Sequence, residues 1–436
     1  MNEAIATTIG VIAFIALIFA SIALHEFGHF ATAKRFGLKI TEFMIGFGPV
    51  LASRQKGETK YGVKAVPLGG YVRIVGMYPP ERIGRRRSGR FSRLIDEARS
   101  ESLKEIKPGD EGRVFYRLPV AKRLAIMLAG PLMNLVLAVI LFSIVLVGVG
   151  LPVQTTSVAG VVPCVPTADD PRGEVGDDGS CPAGQATPAK KAGLRAGDTI
   201  VSVGNESIAS WEDLTRSLES ALGPTVVVVN RGGSNVSLTA DLASVSYPVF
   251  DEQSRPTGDY RERTFLGVRP QAEYQGLAVT EVPSHIWGIT RDSVVALGGL
   301  PARLYELGVT LATNGERDPG GPVSVVGVSR LSGEIAATDE PLRAKAASIL
   351  GLAALLNLFL FLFNLLPLLP LDGGHVAAAL WEAARRRLAA WRHRPDPGPV
   401  DTARLLPVTY VMAITLIGVG IMVVWADIVK PITLGG

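Results

Sequence analysis

The segment His25-Glu26-Phe27-Gly28-His29 holds the residues whose types and spacing most restrict the chemistry of this chain. On a helix, residues four apart lie on one face, so His25 and His29 present two imidazoles to one point. Glu26 then sits beside that point without having to occupy it, placed to take a proton from a water at a metal ion. Zn²⁺ in a catalytic site takes three protein ligands and keeps a position for water, so a third ligand must come from elsewhere. The chain has only five histidines, and two of them at this spacing around a Glu are hard to attribute to chance. The competing possibility is a polar helix end without function. The chemistry implied is metal-assisted hydrolysis, with Zn²⁺ as cofactor.

The elements that must position these residues are set by hydropathy. Of 436 residues, 47% are hydrophobic and 19% charged, and the apolar residues are clustered. Four stretches reach the length needed to cross a membrane, roughly Ala4–Leu24, Leu124–Leu151, Ala346–Leu371 and Leu405–Val429. A span takes about 20 apolar residues, and only a helix satisfies its own backbone there. The first stretch reads as a retained span rather than a signal peptide. It begins Met1-Asn2-Glu3 without a basic flank and runs on into His25. The fold class expected is a polytopic α-helical membrane protein.

Orientation follows from Lys and Arg. Residues 31–123 are crowded with them, including Arg85-Arg86-Arg87, and so is 383–404, with Arg385-Arg386-Arg387. Residues 152–285 are richer in acids, such as Asp169-Asp170 and Asp177-Asp178. The two basic segments are therefore expected in the cytoplasm, and the middle domain and both termini outside. Basic loops against anionic lipid account for the net charge of +4, and no nucleic-acid-binding motif accompanies them.

This topology narrows the third ligand. The second span, 124–151, carries no acid and no His, and Asp427 of the fourth lies at its outer end. The third span (346–382 with its continuation) runs parallel to the first and brings Asp372 and His375 to the membrane face of His25 and His29. Asp372 is the preferred ligand. Prolines and glycines around it indicate backbone that leaves helical geometry, although Asp372-Gly373 is also an ordinary turn signal.

The remaining segments read as follows. Residues 42–77 alternate apolar and polar between glycines, as a small cytoplasmic membrane-associated antiparallel sheet does. Residues 78–117 are charged and have no clear apolar period, which leaves two readings: a helix around Phe91–Ser102, or a mobile segment. Lys191–Ala240 reads strand, helix, strand, with Ser210 as N-cap and Asp213 three residues on. Ala192-Gly193-Leu194-Arg195-Ala196-Gly197-Asp198-Thr199-Ile200 resembles the signature of a single PDZ domain of the bacterial protease type, with 169–188 as a surface insert. Cys164 and Cys181, the chain's two cysteines, fall in this outside segment, where a disulfide is permitted. Residues 286–345 form an outside amphipathic segment. Ser284–Leu311 within it is too polar to span, and either lies along the surface or packs on the outer domain.

A membrane His-Glu-x-x-His helix (1–30), a PDZ module and the later run Asn364-Leu365-Leu366-Pro367 … Leu371-Asp372-Gly373 resemble the site-2 protease family of intramembrane zinc metalloproteases. Within it the chain resembles the bacterial branch that includes the regulator of sigma-E protease. The resemblance implies four transmembrane helices (the last 405–429), His25, His29 and Asp372 as zinc ligands, and Glu26 as base. It implies substrate contact for Asn364, with Asn357 two turns earlier on the same face as a possible helper. Expected substrates are single-span membrane proteins, such as trimmed anti-sigma factors or remnant signal peptides, met in the lipid of a bacterial cell membrane. One departure is Pro367-Leu368-Leu369-Pro370, where relatives carry Pro-x-Pro. Two alternatives stay open: a membrane-anchored metallopeptidase cutting loop or soluble peptides, and a non-catalytic PDZ scaffold.

Overall fold

The computed structural model describes residues 3–80, 92–165, 180–181, 185–250, 256–313, 315 and 317–433. The arginine run at 85–87 and the acidic pairs at 169–170 and 177–178 lie outside the described residues, as does most of the insert at 169–188. The chain forms two units, Met1–Gly148 with Ala278–Gly436, and Val149–Leu277.

The first unit is built on long helices. The apolar run at the N-terminal end folds as α1 (Glu3–Arg35), which carries on through His25 and His29. It stops where Gly37 turns left-handed (φ 78) and Leu38 N–H donates to the Ala33 carbonyl. Two long strands follow, β1 (Ile40–Lys56) and β2 (Thr59–Ile74). They are longer than the short strands expected because each bends. Residues 42–45 of β1 pair on one side with 60–63 and on the other with 70–73, while 50–56 pair only with 59–64. The sheet thus has four strand segments, and 70–73 forms one of its edges. The turn at Glu58 is tied down by Arg113 and by Lys34 in the last turn of α1.

A short helix, α2 (Ser92–Lys104), takes the helical of the two readings left open for this charged segment. α3 (Val120–Ser143) continues as a π-helical stretch, Ile144–Val149. Pro131 inside α3 removes a backbone donor, and this part of α3 is packed on α1: a Cβ on Gly28 would lie 2.4 Å from the Ala129 carbonyl.

In the second unit, six strands line up in the order β8-β7-β6-β4-β3-β9, with β5 attached to β4. These are β3 (Leu151–Val161), β4 (Thr199–Val203), β5 (Glu206–Ser207), β6 (Gly223–Arg231), β7 (Ser234–Phe250), β8 (Pro256–Phe265) and β9 (Val268–Gln275). Two helices, α4 (Pro188–Ala192) and α5 (Trp211–Ser220), accompany them, and Val158, Ile200, Leu214, Val227, Val229 and Leu266 form the core. Strand, helix, strand over 191–240 is thus β4, α5 and β6. Ser210 and Asp213 close a reciprocal cap on α5. Buried Asp198 is gripped by Arg231, with N–O distances of 2.7 and 2.8 Å, and this holds its carboxyl below the usual range. Cys164 and Cys181 are joined by a disulfide, their Cα atoms 5.4 Å apart.

The first unit resumes with α6 (Val282–Thr313), α7 (Val325–Ala337), α8 (Leu342–Asn364), α9 (Asp372–Trp391) and α10 (Leu406–Val429). Among the described residues, five helices are long and apolar enough to cross a membrane: α1, α3 with its extension, α6, α8 and the α10 segment. The fifth, α6, covers the stretch judged too polar to span; its charges are few over 32 residues, and it is the least apolar of the five. α7 is not a surface element. It packs on α1, where Ser332 Oγ donates to the Gly10 carbonyl at 3.1 Å from a fully buried position.

The third predicted span is also not one helix. α8 ends at Asn364, residues 365–371 are non-helical, and α9 starts afresh at Asp372. Pro367 and Pro370 supply the physical reason, since neither can donate to a helical ladder. Gly373 lets α9 fold back on the break: a Cβ there would come within 2.2 Å of the Leu366 carbonyl. Inside α9, fully buried Glu382 accepts from Arg123 of α3, from Arg386 at 3.0 Å and from Val400 N–H at 2.9 Å.

Candidate metal centre

His25 and His29 lie one turn apart on α1, as their spacing requires, and their Nε2 atoms are 3.2 Å from each other. Asp372, the first residue of α9, brings its Oδ2 to 3.2 Å from His25 Nε2 and 3.3 Å from His29 Nε2. Around a tetrahedral ion with ligands at ~2.0–2.1 Å, ligand atoms stand ~3.3 Å apart. The triangle of two nitrogens and one oxygen therefore has the edge lengths of three corners of a zinc tetrahedron. The fourth corner is not taken by a described His, Cys, Asp or Glu, which is the pattern of a catalytic rather than a structural zinc site.

The surroundings fit a cation. His29 Nδ1 lies 2.8 Å from the Ile126 carbonyl, which can only accept. That partner fixes the proton on Nδ1 and leaves the Nε2 lone pair for a metal ion. The N-terminal dipole of α9 favours negative charge at Asp372. Close approach of α3 is what closes the site: a Cβ on Gly130 would stand 2.2 Å from His29 Nε2.

The centre opens into a cavity of about 520 Å³ lined by His25, Glu26, His29, Asn134, Asn364, Asp372 and His375, with Gly69, Gly70 and Tyr71 of β2 along one wall. Glu26 is buried, and Gly70 lies directly against its side chain, leaving no room for a Cβ. Of the residues singled out from sequence, His25, Glu26, His29, Asp372 and Asn364 meet in this cavity. His375 shares the cavity but not the ligand triangle. Asn357 does not line it. That side chain is fully buried between α8 and α1, donating to Ser21 Oγ at 2.9 Å and to the Ala353 carbonyl at 2.8 Å. The helper role given to Asn357 is thereby corrected to helix packing: seven residues share a face of α8 but stand ~10 Å apart along it. Cys164 and Cys181 belong to the second unit. Sequence reasoning passed over Ile126, Gly130 and Asn134 as contributors. No local pattern in α3 marks which of its residues meet the ring of His29.

Long apolar helices around a His, Glu, His and Asp cavity define a multi-pass membrane protein with the centre of a metallopeptidase. The family model of peptidase family M50 matches residues 13–394. The chain is 34% identical over 435 residues to zinc metalloprotease Rip1 of Mycobacterium tuberculosis, covering 98% of each chain. It is 28% identical over 429 residues to zinc metalloprotease RasP of Oceanobacillus iheyensis (86% of this chain, 91% of the relative). It is 27% identical over 379 residues to metalloprotease MmpA of Caulobacter vibrioides (84% of each). The chain belongs to peptidase family M50, the site-2 protease family of intramembrane zinc metalloproteases.

Proposed function

We propose that His25, His29 and Asp372 hold the zinc ion, that Glu26 is the general base, and that peptide bonds are cut within the membrane segment of single-span proteins. The ligand triangle carries this reading. Bound Zn²⁺ supplies Lewis acidity toward a carbonyl oxygen and acidifies water. Glu26 takes the proton of the attacking water on its carboxylate and returns it to the leaving amine. Asn364, on the cavity wall, donates to the substrate backbone. A substrate helix must unwind first, and the 70–73 edge of the sheet, which borders the cavity, offers strand pairing to the unwound segment.

The same reading places the second unit outside as a PDZ domain that screens substrates, with trimmed anti-sigma factors and remnant signal peptides as the substrate type. The protein then lies in a bacterial cell membrane with both termini outside and four crossing helices. α6 would be the exception among the five. Its end is tethered to the outer end of α10 through Arg317, which donates to Asp427 Oδ1 at 2.6 Å and to the Lys430 carbonyl at 2.8 Å. Its start follows strand β9, whose last residue Gln275 pairs with Leu151, just beyond the outer end of α3. A helix with both ends on one side lies along that side.

The ligand assignment is tested by quantifying zinc, and its coordination by X-ray absorption, in wild type and in His25→Ala, His29→Ala and Asp372→Ala. Two nitrogen and one carboxylate ligands in wild type, and zinc loss in each variant, are expected. Full zinc occupancy in Asp372→Ala would remove Asp372 from the set. Single-cysteine labelling at Val295, exposed midway along α6, tests the topology: labelling by a membrane-impermeant reagent from outside is expected, and protection from both sides would make α6 a span.

A further inference from the structure

Asn134 is 1% exposed, and neither its Nδ2 nor its Oδ1 has a hydrogen-bond partner in the protein. An orphaned buried carboxamide is costly and rarely tolerated without a reason. Here it faces the cavity that holds His25, Glu26, His29 and Asp372.

Its position on α3 follows from a stripe. Ile126, Gly130 and Asn134 succeed one another at one helical turn, so they share a face. Ile126 gives its carbonyl to His29 Nδ1 at 2.8 Å. Gly130 makes room for the His29 ring, where a Cβ would stand 2.2 Å from Nε2. The face that buttresses the ligand therefore continues, one turn on, into a free amide. Nothing in packing requires an amide there, because its two polar atoms bond to no neighbour.

We propose that Asn134 is a substrate-binding residue that pairs with the backbone of the unwound segment, its Nδ2–H donating to a substrate carbonyl and its Oδ1 accepting a substrate N–H. The proposal rests on the proteolytic reading above. A peptide unwound inside a membrane exposes donors and acceptors that lipid cannot satisfy. A side-chain amide carries one of each in the geometry of a peptide group, and so matches one residue of an extended strand. No bond is made or broken at Asn134; the pairing holds the segment extended while Glu26 acts.

The test uses the full chain in detergent, with Asn134→Leu and Asn134→Ala, and a synthetic single-span peptide. A matched peptide set replaces single amides near the cut by esters, each removing one N–H. Both variants should keep wild-type zinc content and a thermal midpoint no lower than wild type, since an orphaned amide is removed. Their kcat/KM should fall by about ten- to a hundredfold, the scale of leaving buried backbone groups unpaired. At one ester position the penalty seen in wild type should vanish in Asn134→Leu. Unchanged kcat/KM, an ester penalty identical in wild type and variant at every position, or loss of zinc or folding in both variants would overturn the proposal. The last of these would assign Asn134 to packing. Failure of wild type to cut the peptide within its span is a different result: it refutes the proteolytic reading itself and takes the proposal with it.

Discussion

At the scale of single residues, the centre depends on two kinds of information. His25, Glu26 and His29 are legible in sequence because a helix converts a spacing of four into proximity. Asp372 was reached from topology, since charge and hydropathy bring only a few ionisable groups to that membrane face. Gly130 was not legible. Its role is a distance of close approach between α1 and α3, and no local pattern encodes which glycine meets which ring. Gly130→Ala should therefore act like loss of a ligand support. The added methyl cannot fit 2.2 Å from His29 Nε2, and disturbed supporting groups typically cost about 10- to 100-fold in metal affinity. Zinc titration by competition with a chelator checks this. Equal affinity in Gly130→Ala and wild type would mean that α3 does not set the position of His29. Asn357 makes the opposite point: shared helical face was legible, while depth along α8 was not.

At the scale of elements, the third helix breaks where its prolines and glycines indicated, although one helix was expected over the whole of 346–382. Hydropathy runs continuously through Leu365–Leu371, so it does not mark the break; the prolines do, ending the ladder before Asp372 begins a new helix. That break matters chemically, because it puts the carboxylate at a helix start where it turns back toward α1. The hairpin of β1 and β2 was legible as sheet, but not its bend, which sets 70–73 as an edge beside Glu26. Its far turn is held by charge. Arg113 and Lys34 draw the Glu58 carboxyl from an ordinary 4.5 down to about 2. A carboxyl depressed on folding contributes stability that is fully present above its unfolded value and lost as protonation is forced. The turn should thus be equally protected from hydrogen exchange at pH 7 and pH 5, and lose protection progressively from about pH 4.5 towards pH 2. Glu58→Gln should show the low-pH protection at every pH. A turn whose protection in wild type is flat down to pH 2 would show that this ion pair does not hold it.

At the scale of the whole molecule, hydropathy picked out four of the five described helices long and apolar enough to cross a membrane, and the charge rule supplies the proposed orientation. The disulfide-bearing unit at Val149–Leu277 is inserted with its two ends side by side, since Leu151 pairs with Gln275. Insertions of that kind can be removed with little strain on the host. Joining Gly150 to Gly276 should leave a protein that binds zinc and still cuts a short single-span peptide lacking an outer portion. It should also cut longer, untrimmed substrates that the full chain refuses, if the unit acts as a screen. Loss of cleavage of the short peptide, with zinc retained, would show that the unit takes part in the reaction itself. Sequence could not foresee that the segment after α6 is tied to α10, because the Arg317 and Asp427 contact joins residues more than a hundred positions apart.

The central claim is that one zinc centre, with Glu26 as its base, cuts peptide bonds at membrane depth. The most direct test purifies wild type and Glu26→Gln in detergent, quantifies zinc in both, and sizes the products of a single-span substrate by mass spectrometry. The predicted result is a cut within the apolar span by wild type. Glu26→Gln should cut at least about 100-fold more slowly, the low end of what removing a general base costs, with equal zinc in the two proteins. A cut confined to residues outside the span, or an undiminished rate in Glu26→Gln, would contradict it.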